Sequence, residues 1–395
     1  MKAFSKKEIL EGNHQEIIIY GTGVLGEIAL AGMRLLGMEP NLFCDHDPNE
    51  TSYKGFSVLS PNQLKQHQSA VIVVAFKDFL QQALHNLQNA GCKNIYHILP
   101  LLELDYQCVD LSSRAKEMLV RKSGYITTVM AALSPDAIST QHIEIMVTER
   151  CTLNCRDCSA LIPYFQKPND IELSSYWSAF DKLFEVFDYI GEVSLLGGET
   201  FLNGGLWKFI KRYVDYDRIG MMAVYTNGTV IPNEKTISAL KHPKVWVHIS
   251  NYGNVSNRIG EIEKLFTQHG IQYFVRSYDV WQSSGGFRLR TETENQLVDK
   301  VKTCFKSNCF SFYRGKLYRC SRASSAIEAG ILAPSAESFI DFCNNSTIEN
   351  LKERTVDFLN KKYSTMCKFC DGFQINGPGV EPAIQHKGRR SPNDE

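Results

Sequence analysis

Three cysteines in one short run, Cys151-Thr-Leu-Asn-Cys155-Arg-Asp-Cys158, carry the strongest chemical signal in the chain. Each thiolate is a good iron ligand, and this spacing lets one tight loop offer three sulfurs to a cube of iron and sulfide. A four-iron cube has four corners, so one iron stays open for something else to bind. Such a site does chemistry rather than only storing an electron. Zinc is the competing occupant, since clustered cysteines also bind Zn2+. Further on, Gly197-Gly198-Glu199-Thr200 forms a turn. A Gly-Gly turn lets backbone approach a ligand closely, and Glu199 can accept a hydrogen bond from an ammonium group. A second set follows: Cys304, Cys320 and the pair Cys367-Lys-Phe-Cys370. Four thiolates close a site, which suits a complete [4Fe–4S] cluster or structural zinc.

These groups need elements to hold them. His142 to Val147 alternates polar and apolar residues, which predicts a strand ending at the first cysteine loop. Ser174 and Ser175 offer caps to a helix with Trp177, Phe180, Leu183, Phe184, Phe187 and Ile190 on one face. Val193 to Leu196 is a strand running into the Gly-Gly-Glu turn. Met221 to Tyr225 ends in Thr226-Asn227-Gly228, Val245 to Ile249 ends in Ser250-Asn251-Tyr252-Gly253, and Ile271 to Val275 ends at Arg276. Helical stretches at 206–214, 233–241 and 256–269 lie between them. That alternation predicts a parallel sheet with helices outside and chemistry at the strand tops.

At these residues the chain resembles the radical S-adenosylmethionine family, whose marks are the Cys-x3-Cys-x2-Cys loop and a Gly-Gly-Glu motif after the next strand. The resemblance implies an α/β fold with a partial (β/α)6 barrel over 141–295. It implies a [4Fe–4S] cluster on Cys151, Cys155 and Cys158, with the methionine amino and carboxylate groups of the cofactor on the open iron. Gly197, Gly198 and Glu199 would hold the amino group. Thr226, Asn227, Ser250 and Asn251 would contact the ribose and methionine. An electron, from a donor such as flavodoxin or ferredoxin, would split the sulfonium and give a 5′-deoxyadenosyl radical that takes hydrogen from substrate. One position departs from the pattern: the residue before the third cysteine, commonly aromatic, is Asp157. Leu161 to Phe165 would supply the apolar contact to adenine or belong to the core.

Residues 296–376 resemble the short auxiliary-cluster extension called a twitch domain, a reduced form of the SPASM domain. Phe310 to Tyr318, around Arg314-Gly315-Lys316, predicts a hairpin that brings Cys304 to Cys320. The resemblance implies one auxiliary [4Fe–4S] cluster on Cys304, Cys320, Cys367 and Cys370, with zinc the alternative. Cys309 would replace Cys304, donate a hydrogen atom to a substrate radical, or be an ordinary buried thiol. Cys343 has no spacing argument.

Residues 1–105 form a separate unit. Ile17 to Tyr20 predicts a strand, followed by Gly21-Thr-Gly23-Val-Leu-Gly26 and an apolar helix. Three more strands are expected at Pro40–Asp45, Ala70–Phe76 and Asn94–Ile98, with a helix over 78–90. Strand, glycine turn and helix in that order make a Rossmann-like phosphate site, with Asp45 where a ribose-binding acid belongs. Four strands are a small sheet for NAD. The segment resembles the front unit of nucleotide-sugar acyltransferases, which implies a sugar nucleotide. A dinucleotide, or a docking unit without nucleotide whose glycines serve only the turn, are the alternatives. Residues 106–140 read as a helical connector, and 377–395, rich in Gly, Pro and charge, as a disordered tail.

Lysine plus arginine total 43, as do aspartate plus glutamate, so no net field points to nucleic acid. No run is apolar enough for a signal peptide or membrane span. Twelve cysteines, seven of them in metal-ligand spacing, fit a reducing cytoplasm. The expected function is radical oxidation or epimerisation of a sugar, nucleotide-linked or within a glycan. Twitch-bearing relatives that dehydrogenate aminocyclitol alcohols suggest it. A peptide-modifying maturase and a non-catalytic iron–sulfur or zinc protein that docks partners are the alternatives.

Overall fold

A computed structural model describes residues 1–391 except 13, 15, 48–50, 77–79, 121, 135 and 375. The chain divides into two compact units, Met1–Ala137 and Ile138–Glu395.

The first unit is built on a seven-stranded sheet. Its strands are β1 (Lys2–Ala3), β2 (Ile17–Tyr20), β3 (Leu42–Cys44), β4 (Ser52–Tyr53), β5 (Phe56–Leu59), β6 (Val71–Val74) and β7 (Asn94–His97). They run in the order β1-β7-β6-β2-β3-β5-β4. Every pairing is parallel except β4 with β5. Val71 to Val74 are all fully buried, as a central parallel strand covered on both faces requires. The sheet is larger than the four strands expected from sequence, because β1 and β4 are two residues long and β5 lacks clear alternation. The chain leaves β2 toward β3 and β6 toward β7, so the carboxyl ends of β2 and β6 flank a topological switch point, the ligand-binding place of open α/β sheets.

The expected connector belongs to this unit. Its helices, Ser113–Val120 and Ser123–Leu133, bury Ala115, Tyr125 and Val129 in the first core. The Tyr125 hydroxyl donates to the Val74 carbonyl at 2.9 Å and accepts from the Ile98 N–H at 3.2 Å. The expected helix at 78–90 is Leu80–Asn89; residues 78 and 79 lie outside the described set.

The second unit carries an eight-stranded sheet in the order β12-β11-β10-β9-β8-β14-β15-β16. Strands β8 (Ser139–Thr148), β9 (Tyr189–Gly197), β10 (Ile219–Thr226), β11 (Val245–Asn251) and β12 (Tyr273–Ser277) are parallel and in chain order. Helices Trp177–Val186, Leu206–Tyr213, Glu234–Leu240 and Ile259–His269 connect them. Alternate residues Ile143, Ile145, Val193, Leu195, Met222, Val224 and Val247 pack on those helices, with Phe180, Leu183, Phe184, Phe209 and Tyr213 in one core. Phe187 and Ile190, expected on the first helix, instead cap it and enter β9.

The sixth barrel strand does not follow β12. Strand β13 (Trp281–Gln282) pairs antiparallel with β17 (Gly379–Val380). Strand β14 (Cys309–Tyr313) instead joins the opposite edge, parallel to β8. Strands β15 (Lys316–Tyr318) and β16 (Phe339–Asp341) follow antiparallel. The cysteine-rich segment is therefore continuous with the sheet, because Phe310 and Phe312 sit opposite Ile143 and Ile145 and share their core. Its hairpin turns at Arg314 and Gly315, with φ of 49° and 76°. Two successive positive φ values are what a two-residue hairpin with native twist demands.

The tail is also corrected. Strand β17 lies within it, and residues 384–390 hydrogen-bond to the first cysteine loop and the turn after it. Composition pointed to disorder because the segment has little to bury; backbone pairing and side-chain amides fasten it instead. Residues 392–395 lie outside the described set. Among the described residues no helix is long and apolar enough to cross a membrane.

Candidate cofactor site

The first cysteine loop leaves the top of β8 and is pinned before it begins. Thr148 Oγ1 donates to Asp170 at 2.6 Å, and Arg150 pairs with the same carboxylate at 2.9 Å. Buried Glu149 receives the Tyr313 hydroxyl and, at 2.7 Å, Arg314. Tyr313 is thereby structural.

Each sulfur of the loop meets N–H donors. Cys151 Sγ accepts from the Leu153 N–H at 3.4 Å and from Asn227 Nδ2 at 3.5 Å. Cys155 Sγ accepts from Gln385 Nε2 at 3.4 Å. The backbone N–H groups of Ile162, Ala160 and Leu161 point to Cys158. Burial pushes all three thiols up, Cys155 to about 11. Thiolates in such a place need a cationic partner, which an iron or zinc centre supplies. The donor set fits a thiolate-held metal.

Beside the loop, backbone packing by itself requires glycine at 197 and 198. A Cβ on Gly197 would lie 2.2 Å from the Thr148 carbonyl oxygen, and one on Gly198 2.2 Å from that of Arg150. The two turns interlock there. Glu199 follows, fully buried. Its Oε1 accepts from the Phe201 N–H at 3.1 Å and from Thr226 Oγ1 at 2.8 Å; its Oε2 accepts from the Asn227 N–H at 2.8 Å. Burial pushes its pKa up to about 7 even though these three bonds pull it down. Oε2 keeps acceptor capacity for one further donor. Asn227 therefore binds the acid through its backbone and Cys151 through its side chain.

Ser250 and Asn251 lie at the top of β11, but the Asn251 amide serves the turn, accepting from Gly253 and reaching Ser277 Oγ at 3.3 Å. The residue missed there is Tyr252, whose hydroxyl is pushed up chiefly by burial and which lies near Tyr278, Cys158 and Cys155. Its place at a strand end was visible, its neighbours were not. Leu161, Ile162, Tyr164 and Phe165 are all buried in core clusters, so they pack. Asp157 is paired with Arg156 at 2.8 Å.

Cys304, Cys320, Cys367 and Cys370 surround one cavity of about 60 Å³, walled by Phe287, Met366, Phe369 and Phe373. The N–H groups of Phe373, Ala323 and Gly372 point to the sulfurs of Cys304, Cys320 and Cys370 at 3.4, 3.4 and 3.3 Å. Lys300 Nζ holds the carbonyls of Cys367 and Cys370, each at 2.7 Å. Cys309 faces elsewhere. Its sulfur lies 3.4 Å from His142 Nδ1, while His142 Nε2 lies 2.6 Å from Ser194 Oγ, which donates to Glu192 at 2.6 Å. Because the Ser194 hydrogen goes to Glu192, Nε2 carries a ring proton, and the Cys309 sulfur also reaches the Phe305 carbonyl at 3.8 Å. Burial pushes that thiol up to about 12, so it stays protonated. Cys343 lies by the hairpin turn, where a Cβ on Gly315 would meet its sulfur.

In the first unit, Gly21 (φ 122°) turns at the end of β2, and a Cβ on Gly26 would lie 2.0 Å from the Gly21 carbonyl oxygen. Both serve the turn. Gly23 differs: it caps the helix Val24–Leu35 and a Cβ there meets nothing within 4 Å. Asp45 Oδ2 accepts from both the N–H and the hydroxyl of Thr22 at 2.8 Å, which holds its pKa below the ordinary value despite burial. Asp45 therefore clamps the glycine turn.

No family profile matches the chain. An uncharacterized protein of Methanocaldococcus jannaschii is 32% identical over 152 residues, 35% of this chain and 50% of the relative. A GTP 3′,8-cyclase of Campylobacter jejuni is 32% identical over 95 residues, 23% of this chain and 28% of the enzyme. The chain thus spans half or less of the length of these curated relatives. Among solved structures, BtrN in complex with AdoMet and 2-DOIA has 14% identity and a TM-score of 0.36, over 62% of this chain and 97% of BtrN. The anSMEcpe protein with bound AdoMet has 12% identity and a TM-score of 0.38, over 60% and 89%. At these values the reading rests on the residues themselves.

Proposed function

We propose that this chain is a radical S-adenosylmethionine enzyme acting on a carbon of a sugar, nucleotide-linked or within a glycan. The observation that carries the reading is the single hydrogen-bonded unit Cys151–Asn227–Glu199. It joins a three-thiolate loop to a buried carboxylate suited to an ammonium, the two handles that this cofactor needs. The local likeness to a GTP 3′,8-cyclase is consistent with it. Cys151, Cys155 and Cys158 would hold the first [4Fe–4S] cluster, and Cys304, Cys320, Cys367 and Cys370 the second. When bound, these groups would supply a 5′-deoxyadenosyl radical and a one-electron acceptor.

The protein's own residues do the rest. Glu199 would hold the cofactor's amino group, Asn227 and Thr226 fix that carboxylate, and in the first unit Gly23, exposed at the start of the helix Val24–Leu35, would take a diphosphate. Loss of hydrogen from a carbinol carbon leaves two outcomes. Oxidation removes one more electron and the hydroxyl proton; epimerisation returns a hydrogen atom from a thiol to the opposite face, and one electron from the external donor with one proton restores the resulting thiyl radical. The Cys309 thiol, protonated and oriented by His142, Ser194 and Glu192, supports the second. The test is a panel of ring-deuterated UDP-, GDP- and dTDP-hexoses with anaerobically reconstituted protein. Deuterium in 5′-deoxyadenosine from one sugar is expected; formation of 5′-deoxyadenosine that never carries sugar deuterium would reject the sugar reading.

A further inference from the structure

We infer that the C-terminal segment 383–390 is a wall of the first cluster site, with Gln385 as a residue that binds and protects the Cys155 thiolate. The inference rests on Cys155 being a metal ligand, as proposed above. The segment runs antiparallel to the cysteine loop: the Arg156 N–H donates to the Ile384 carbonyl at 2.8 Å, and the His386 N–H to that of Asn154 at 2.7 Å. The Asn154 amide donates to the carbonyls of His386 and Gly388, both at 2.7 Å. The Arg390 N–H donates to the Pro163 carbonyl at 2.8 Å, and its guanidinium sits 4.9 Å from the Tyr164 ring centre.

Gln385 lies at the middle of this pairing, and its amide orientation is determined by its neighbours. Oε1 accepts from the Asn154 N–H at 2.8 Å, so Nε2 is the end that faces Cys155 Sγ at 3.4 Å. Nε2 also donates to the Ala383 carbonyl at 2.7 Å, which uses its second hydrogen. The amide is therefore held by three contacts, of which the one to the sulfur reaches a candidate metal ligand. A side-chain N–H on a ligand sulfur stabilises the thiolate and raises the reduction potential of a cluster. The segment also excludes water from Cys155, which is buried although its loop is a surface turn. Cys151 takes its donors from Leu153 and Asn227 and Cys158 from residues 160–162, whereas among the described residues the side-chain donor to Cys155 comes from 230 positions away.

The test compares wild type, Gln385→Ala and a chain ending at Gly377, each reconstituted anaerobically with iron and sulfide. Iron release to bathophenanthroline, with the ligand set of 304–370 removed by Cys367→Ser in all three, reports on the first site alone. Release should be about tenfold faster in Gln385→Ala, the worth of one hydrogen bond to a charged group, and faster still in the shortened chain. The midpoint potential should move negative. In apo-protein, iodoacetamide should label Cys155 faster in the shortened chain, where the segment that covers it is gone. Release rates, potentials and labelling equal to wild type would overturn the inference. If wild type takes up no iron at this site, the cluster reading fails, and Cys155 labelling still decides whether the segment shields it.

Discussion

Glu199 offers a prediction whose sign changes with pH. Its carboxyl is pushed from 4.5 to about 7 by burial, a rise of about 2.5 units. The folded state then binds the proton more tightly than the unfolded chain, so between pH 4.5 and 7 it holds more protons. Stability contributed by this group is complete below pH 4.5 and is lost as pH rises through 7. At 1.36 kcal/mol per unit the loss is about 3 kcal/mol. Glu199→Gln removes the charge, and with it this loss, but weakens the bonds from Phe201, Thr226 and Asn227 by about 0.5–1 kcal/mol each. The apo variant should therefore be about 1 kcal/mol more stable than wild type at pH 8, and about 1–2 kcal/mol less stable at pH 5, where wild type is already protonated. Urea unfolding followed by tryptophan fluorescence reads the right unit, because Trp177, Trp207, Trp246 and Trp281 are the chain's four tryptophans and all lie within 138–395. S-adenosylmethionine binding should be lost in the same variant. A variant destabilised equally at both pH values would refute the argument that Glu199 is a strained acid kept for an ammonium.

Cys155→Ala and Cys367→Ala should each reduce iron from about eight to about four per chain while the other site stays loaded, as iron and sulfide assays will show; loss of all iron from either would mean that the sites are not independent. Gly26→Ala should destabilise the first unit by about 1–3 kcal/mol through its clash with the Gly21 carbonyl, whereas Gly23→Ala should alter thermal stability little and weaken UDP binding, measured by calorimetry. Cys309→Ala should leave 5′-deoxyadenosine formation intact and abolish incorporation of solvent deuterium into an epimerised product; continued incorporation would remove the thiol from the reaction.

Much of the candidate site lies in local sequence, because its candidate ligands come in tight clusters. The 151–158 loop, the Gly-Gly-Glu turn and the Cys-x2-Cys pair are each set by a few adjacent residues, and the periodicity of β8 to β11 placed the first two on strand ends. What could not be read depends on contacts across the chain. Gln385 reaches Cys155 from a segment whose composition resembles a disordered tail. The alternation His142-Ile143-Glu144-Ile145 identified a strand, yet the meaning of His142 came only from Ser194 on β9 and Cys309 on β14. The separation of barrel from extension failed for the same reason: β14 pairs with β8 across more than 160 positions, and no local pattern announces that register. Gly197 and Gly198 stand at the end of β9, where a side chain would meet the backbone of the neighbouring loop, a contact no local pattern announces.

The most direct test of the account is whether anaerobically reconstituted, dithionite-reduced protein converts S-adenosylmethionine to 5′-deoxyadenosine and methionine, followed by mass spectrometry beside Cys155→Ala. Wild type should form 5′-deoxyadenosine, and the variant none above background. Protein that carries a full complement of iron yet forms no 5′-deoxyadenosine, or forms as much without Cys155, would contradict it.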